Sequence, residues 1–216
     1  MQKEQEKNIL VGIDFGAKMA GTTVITYLQG EKFVLFASEK NKDADTFIES
    51  FFESTFSKEL PSVVCIDAPL SLPGVYRGLE GYDDYFYRRA DRALNAMSPM
   101  FLGGLTARAM RLHNRLKASG KPNGISLVET YPAEHARRLG LKAFGYKEQK
   151  VQISSVVEVI HTAFADVLPL PSSVFHPILF STWHHVDALL ALLAASRIQS
   201  GIEDVFGDNM EGKIVL

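Results

Sequence analysis

The chain has one cysteine, Cys65, and one tryptophan, Trp183, among its 216 residues. A lone cysteine cannot close a disulfide within the chain or build a thiolate zinc site, and its setting in the apolar run Val63-Val-Cys-Ile66 suits a core residue. No charge-free apolar stretch reaches the roughly 20 residues of a membrane span, and no basic-then-apolar leader opens the sequence. A cytoplasmic location without membrane association is therefore the expectation. Internal repeats and low-complexity tracts are also missing, which argues against a solenoid or a disordered scaffold.

What remains is a chain of ordinary globular make-up, 46% apolar and 22% charged, able to bury a substantial core. Its length suits one domain spanning 1–216. The net charge of -2 gives no general attraction to nucleic acid, but the charge is uneven. Between Tyr76 and Lys121, nine basic residues (Arg77, Arg88, Arg89, Arg92, Arg108, Arg111, Arg115, Lys117 and Lys121) stand against four acids. A local basic surface of this kind can track phosphates even on a mildly acidic protein.

Hydrophobic patterning orders the chain. Ile9 to Ile13 reads as a buried strand ending at Asp14, and Gly21 to Leu28 and Lys32 to Ser38 read as two more, joined by the turn signal Gln29-Gly-Glu31. Asp43 to Phe56 carries Phe47, Ile48, Phe51 and Phe52 at helical spacing, and Val63 to Asp67 is a strand that follows a helix and so runs parallel to the first. Tyr85 to Lys117 reads as helical with a break near Ser98 to Gly104, an inserted basic helical lobe over 76–121. A strand at Ile125 to Glu129 and helices at Pro132 to Leu139, Glu148 to Val167 and Trp183 to Gln199 complete the plan. Three meandering strands followed by crossover strands make an α/β fold of the ribonuclease H-like kind: a mixed five-stranded sheet flanked by helices.

Three of these strands close on a carboxylate: Asp14, Asp67 and Glu129. Ligands in open α/β sheets bind beyond the C-terminal strand ends, so these acids are candidates for a shared site. Asp187 lies within a helix apolar around most of its circumference, where a charge needs a partner or a metal. Clustered carboxylates are hard ligands suited to Mg²⁺ or Mn²⁺, and such ions support phosphoryl transfer. His184, three residues before Asp187 on the same helix face, is a candidate for orienting water or phosphate. Arg88, Arg89 and Arg92 follow an aromatic stretch of Tyr82, Tyr85, Phe86 and Tyr87. Arginines clamp phosphate and aromatic rings stack bases, although the same pattern also describes a solvated helix over an apolar face.

Several segments together resemble the DUF429 family, described as predicted nucleases with a ribonuclease H fold. They are Gly12-Ile-Asp14 with Ala20-Gly21, Ile66-Asp-Ala-Pro-Leu-Ser-Leu-Pro73, Arg88-Arg-Ala-Asp91, Val128-Glu-Thr-Tyr-Pro132, Tyr146-Lys147, Val186-Asp-Ala188 and Glu211-Gly-Lys-Ile-Val215. The resemblance implies a carboxylate site at Asp14, Asp67 and Asp187, joined by Glu129, with Lys147 beside the substrate. One departure from better-known ribonuclease H enzymes is the first helix, where only Glu49 and Glu53 are available as the usual additional acid.

The leading functional expectation is a metal-dependent nuclease with Asp14, Asp67 and Asp187 as metal ligands, Glu129 or His184 positioning water, and Arg88, Arg89, Arg92 and Lys147 holding a nucleic acid or another phosphorylated substrate. An actin-like phosphotransferase is the alternative, suggested by Asp14-Phe-Gly16 before Ala20-Gly-Thr-Thr23. A non-catalytic binding protein on the same fold is the third.

Overall fold

The computed structural model describes residues 8–56, 60–119, 124–148, 152–168, 170–171 and 174–216. The polar lead-in at 1–7 and Lys121 lie outside the described residues. The central sheet contains β1 (Ile9–Asp14), β2 (Val24–Gln29), β3 (Lys32–Ala37), β4 (Val63–Asp67) and β5 (Leu127–Glu129), in the spatial order β3-β2-β1-β4-β5. β1, β2 and β3 pair antiparallel, whereas β4 pairs parallel with both β1 and β5. This meander of three strands with two parallel additions, flanked by helices, is the expected ribonuclease H-like α/β arrangement.

The helices are α1 (Ala44–Thr55), α2 (Arg89–Leu94), α3 (Pro99–Leu102), α4 (Gly104–Lys117), α5 (Pro132–Arg138), α6 (Ile153–Ala165) and α7 (Trp183–Ser200). Local chemistry explains their ends. The Asp43 carboxylate caps α1 by accepting the backbone N–H groups of Asp45 and Thr46, Pro132 opens α5, and Gly201 closes α7 in the left-handed conformation at φ 68°.

The helical stretch expected from Tyr85 begins only at Arg89. The Asp84 carboxylate accepts the N–H groups of Phe86 and Tyr87, turning the chain before it can coil. Asn95, left-handed at φ 49°, then ends α2 earlier than the expected break. The strand expected from Ile125 starts at Leu127, and the C-terminal tail forms a hairpin not anticipated as strands, β6 (Val205–Asp208) with β7 (Gly212–Val215). Among the described residues no helix is long and apolar enough to cross a membrane.

Strand alternation divides the core. Ile9, Val11 and Ile13 of β1 with Val64 and Ile66 of β4 face α1 and α4, where Ile48, Phe51, Phe52, Leu112 and Leu116 pack. Leu10 and Cys65 face α6 and α7 on the other side. α7 lies very close to the sheet at Gly12, where an added Cβ would come within 2.3 Å of the Leu192 nitrogen and 2.5 Å of the Ala188 carbonyl oxygen. The buried Thr26 hydroxyl bonds to the carbonyls of both Gly12 and Ala188, at 3.1 and 2.9 Å, bridging sheet and helix. Gly12→Ala is therefore expected to cost about 1–3 kcal/mol by overpacking, read as a lower urea midpoint. An unchanged midpoint would mean that α7 gives way freely.

Candidate active site

The parallel register of β1 and β4 sets Asp14 directly beside Asp67. Adjacent strands lie about 4.8 Å apart, so the two side chains leave the sheet as neighbours on the face covered by α7. Asp187, in the second turn of α7 one residue before the Thr26 contact at Ala188, brings a third carboxylate to the same place. The electrostatics record this convergence. Burial raises the Asp14 carboxyl, and Asp187 raises it further against the pull of His184 and Lys147. Asp67 is pushed well above the usual carboxylate range, first by burial and then by the charges of Asp14 and Asp187.

Each acid has different company. Asp14 is bound by His184 through Nδ1 at 2.8 Å, a contact that holds the imidazole above its ordinary value. Asp187 receives the Lys147 ammonium at 2.9 Å and the Tyr146 hydroxyl. Burial works against the Lys147 charge, but Asp187, Asp67 and Asp14 together keep it above the ordinary lysine value. Tyr146 is in turn packed edge-on against Trp183, the first residue of α7, with ring centroids 5.5 Å apart. Asp67 makes no hydrogen bond or ion pair among the described residues.

Glu129 reaches the same edge of the sheet but not the same face. It pairs in register with Ile66, not with Asp67, and a one-residue offset in a strand reverses the side on which a side chain emerges. There the buried Arg88 guanidinium meets it with both terminal nitrogens, while the Leu70 N–H donates to it at 2.8 Å. Glu129 is thus paired with Arg88 on the other face of the sheet; it still lines the same cleft as Asp14 and Asp67, and its charge adds to the rise of the Asp67 carboxyl. The acids suggested in the first helix are also elsewhere. Glu49 pairs with Arg115 at 3.0 Å, and Glu49 and Glu53 line a separate hollow with Phe52 and Leu116.

The arginines expected to hold phosphate have other partners. Arg88 uses all five of its N–H donors, on Asp91, Glu129 and Ser71, and is only 1% exposed. Arg89 pairs with Asp208 and lies over the Tyr82 ring, and Arg92 pairs with Asp84 and lies over Tyr87. Arg108 and Arg111 share Asp45. The positive segment seen in the sequence is therefore largely neutralised by acids from α1, β5 and β6. Of the expected substrate-binding cations, only Lys147 stands against the aspartates.

The Gly16 N–H, which a phosphate-binding turn would offer to its ligand, donates instead to the Thr23 hydroxyl at 3.1 Å.

The acids open into a cleft of about 310 Å³. Its lining is mixed, with Asp14, Asp67, Arg88, Asp91, Glu129, Thr130, Tyr131 and Lys147 beside Pro69, Met97, Leu102 and Leu105. Thr130 and Tyr131 fall in the Val128-Glu-Thr-Tyr-Pro132 segment of the family resemblance, but the sequence singles out neither as a site residue; they follow the end of β5. No protein-family model matches the chain, and no curated protein matches it significantly.

Three hard carboxylates, one of them without a protein partner, form a donor set suited by charge and chemistry to a divalent cation such as Mg²⁺ or Mn²⁺. The carboxyls of Asp14 and Asp67 are raised first by burial and then by the neighbouring acids, a balance that a bound cation would reverse. No trio of His, Cys, Asp or Glu among the described residues already converges in ligating geometry. The fit accordingly rests on the Asp14–Asp67 pair, with Asp187 held by Lys147 and Tyr146.

Proposed function

We propose that this cleft hydrolyses a phosphodiester with the help of a divalent metal ion, the chemistry of a nuclease, on the ribonuclease H-like plan that its DUF429-like segments suggest. The observation that carries the reading is the side-by-side placement of Asp14 and Asp67 at the strand ends, both with raised carboxyls. Asp14 and Asp67 would hold the ion, with Asp187 next to them. A bound Mg²⁺ or Mn²⁺ supplies Lewis acidity and a more acidic water.

The chain's own groups do the rest. Lys147 places a fixed ammonium beside the acids, suited to a phosphate oxygen and kept charged by its setting. His184, tied to Asp14 through Nδ1, has its other ring nitrogen without a hydrogen bond among the described residues and can move a proton there. Thr182 caps the helix start by accepting the N–H of His185, fixing the turn that carries His184.

The test is cleavage of a mixed panel with Mg²⁺ or Mn²⁺: labelled single-stranded, duplex and branched DNA and RNA, together with bis(para-nitrophenyl) phosphate. At least one substrate is expected to be cleaved by the wild type, with activity abolished by EDTA and reduced about 100-fold or more in Asp14→Asn. Wild-type protein that cleaves nothing, or cleavage indifferent to EDTA, would refute the proposal.

A further inference from the structure

We infer, building on the hydrolase reading above, that the substrate of this cleft is a small phosphodiester bearing an apolar group, not an extended nucleic-acid strand. Two independent observations lead there. The first is the fate of the cations. A strand is held by neutralising several successive phosphates, which requires several unpaired lysines or arginines along its path. Here Arg88, Arg89, Arg92, Arg108, Arg111 and Arg115 are all engaged by acids of the same chain, and Arg77 and Lys117, which pair with no acid among the described residues, do not line the cleft. Arg88 lines the cleft with its donors spent on Asp91, Glu129 and Ser71, which leaves Lys147 as the cation facing Asp14, Asp67 and Asp187, enough for one phosphate.

The second observation is the mixed lining. A volume of about 310 Å³ lies at the small end of the range for small-molecule sites. The wall offers Lys147 and carboxylates together with the apolar side chains of Met97, Leu102 and Leu105. Met97 is 60% exposed, so it forms part of the rim that a ligand would cover. Thr130 adds a polar group to the wall: it is 2% exposed, and its hydroxyl has no partner among the described residues. An ester oxygen bound there would satisfy it, as buried hydroxyls in general require. The resulting ligand has a single anionic phosphate and a flat or branched apolar body.

The experiment is equilibrium binding to full-length Asp67→Asn, with phenyl phosphate, inorganic phosphate and a labelled single-stranded oligonucleotide at several salt concentrations. Phenyl phosphate is expected to bind about tenfold more tightly than inorganic phosphate, because its ring is removed from water by the apolar wall. Met97→Ser in the same background should shrink that ratio while leaving inorganic phosphate unchanged. Thr130→Val should weaken both phosphates about tenfold without lowering Tm, since the hydroxyl it removes is unpaired; Thr130→Ser should restore binding. The oligonucleotide should bind no better than phenyl phosphate.

An oligonucleotide that binds far more tightly, with a steep loss of affinity in salt, would overturn the inference, as would equal affinities for phenyl and inorganic phosphate. Turnover by the wild type is read separately. If it hydrolyses nothing while the phenyl preference and its Met97 dependence persist, the hydrolase reading fails and the ligand assignment stands.

Discussion

Arg88→Ala is expected to destabilise the protein by about 3–5 kcal/mol, because it leaves Asp91 and Glu129 buried without a counterion. That is a large share of the total stability of about 5–15 kcal/mol typical of a folded domain. The size of the effect comes from what is left behind. Burial drives the Glu129 carboxyl upward and only Arg88 and the Leu70 N–H draw it back, so loss of the guanidinium exposes the full desolvation penalty. Arg88→Lys should rescue little, since one ammonium cannot reproduce five donors directed at Asp91, Glu129 and Ser71. Denaturant unfolding with circular dichroism distinguishes this from the phosphate-clamp role suggested by the sequence. A stably folded Arg88→Ala protein with weakened substrate binding would show that the clamp reading was right.

Asp67→Asn should have opposite effects on activity and stability. Loss of a carboxylate from the proposed metal pair is expected to reduce hydrolysis by about 100-fold or more, whereas stability should rise by about 1 kcal/mol, or roughly 2–4 °C in Tm. The sign follows from the raised carboxyl. Its folded pKa lies above its unfolded value, so the folded state favours the protonated form. The resulting penalty is absent below the unfolded pKa, grows as pH rises through the window between the two, and is full above the folded pKa. Thermal melts of wild type and Asp67→Asn across that window should therefore converge in acid and separate toward neutral pH. Mn²⁺ should raise the wild-type Tm by mass action and leave the variant's nearly unchanged. Parallel melting curves at every pH would show that Asp67 carries no such penalty.

The sheet and three of its acids could be read from the sequence because each depends on short-range patterning. An apolar run that ends in Asp14 and another that ends in Asp67 require only a parallel pairing to become neighbours, and the helix between them implies that pairing. Asp187 declared itself as a charge inside an otherwise apolar helix. That Glu129 emerges on the other face and pairs with Arg88 was not legible, because its strand looked equivalent to the others and register between strands is a tertiary property that no single segment carries. The arginines were misread for a related reason. Their partners Asp45, Glu49, Asp208 and Glu129 are distant in sequence, so a local charge count finds a basic segment where the folded chain has paired charges. The β6–β7 hairpin has exposed and half-buried positions with little apolar alternation, and it is fixed mainly by contact with α2 through Ala90, Leu94 and Ile214.

The close seating of α7 on Gly12 has a consequence for dynamics. Three aspartates brought together repel one another and would separate if their supports could breathe. Asp187, however, rides on a helix whose residues from Val186 to Ser196 are all buried and whose backbone is fastened to β2 through Thr26. Opening such an element locally would expose most of the apolar interior at once, so its amides should exchange with solvent only when the whole chain unfolds. The strain of crowded charge therefore has no small motion through which to escape. Lys147 and His184 ease part of it, the remainder persists for the lifetime of the native state, and a cation or proton that arrives from solvent is what relieves that remainder.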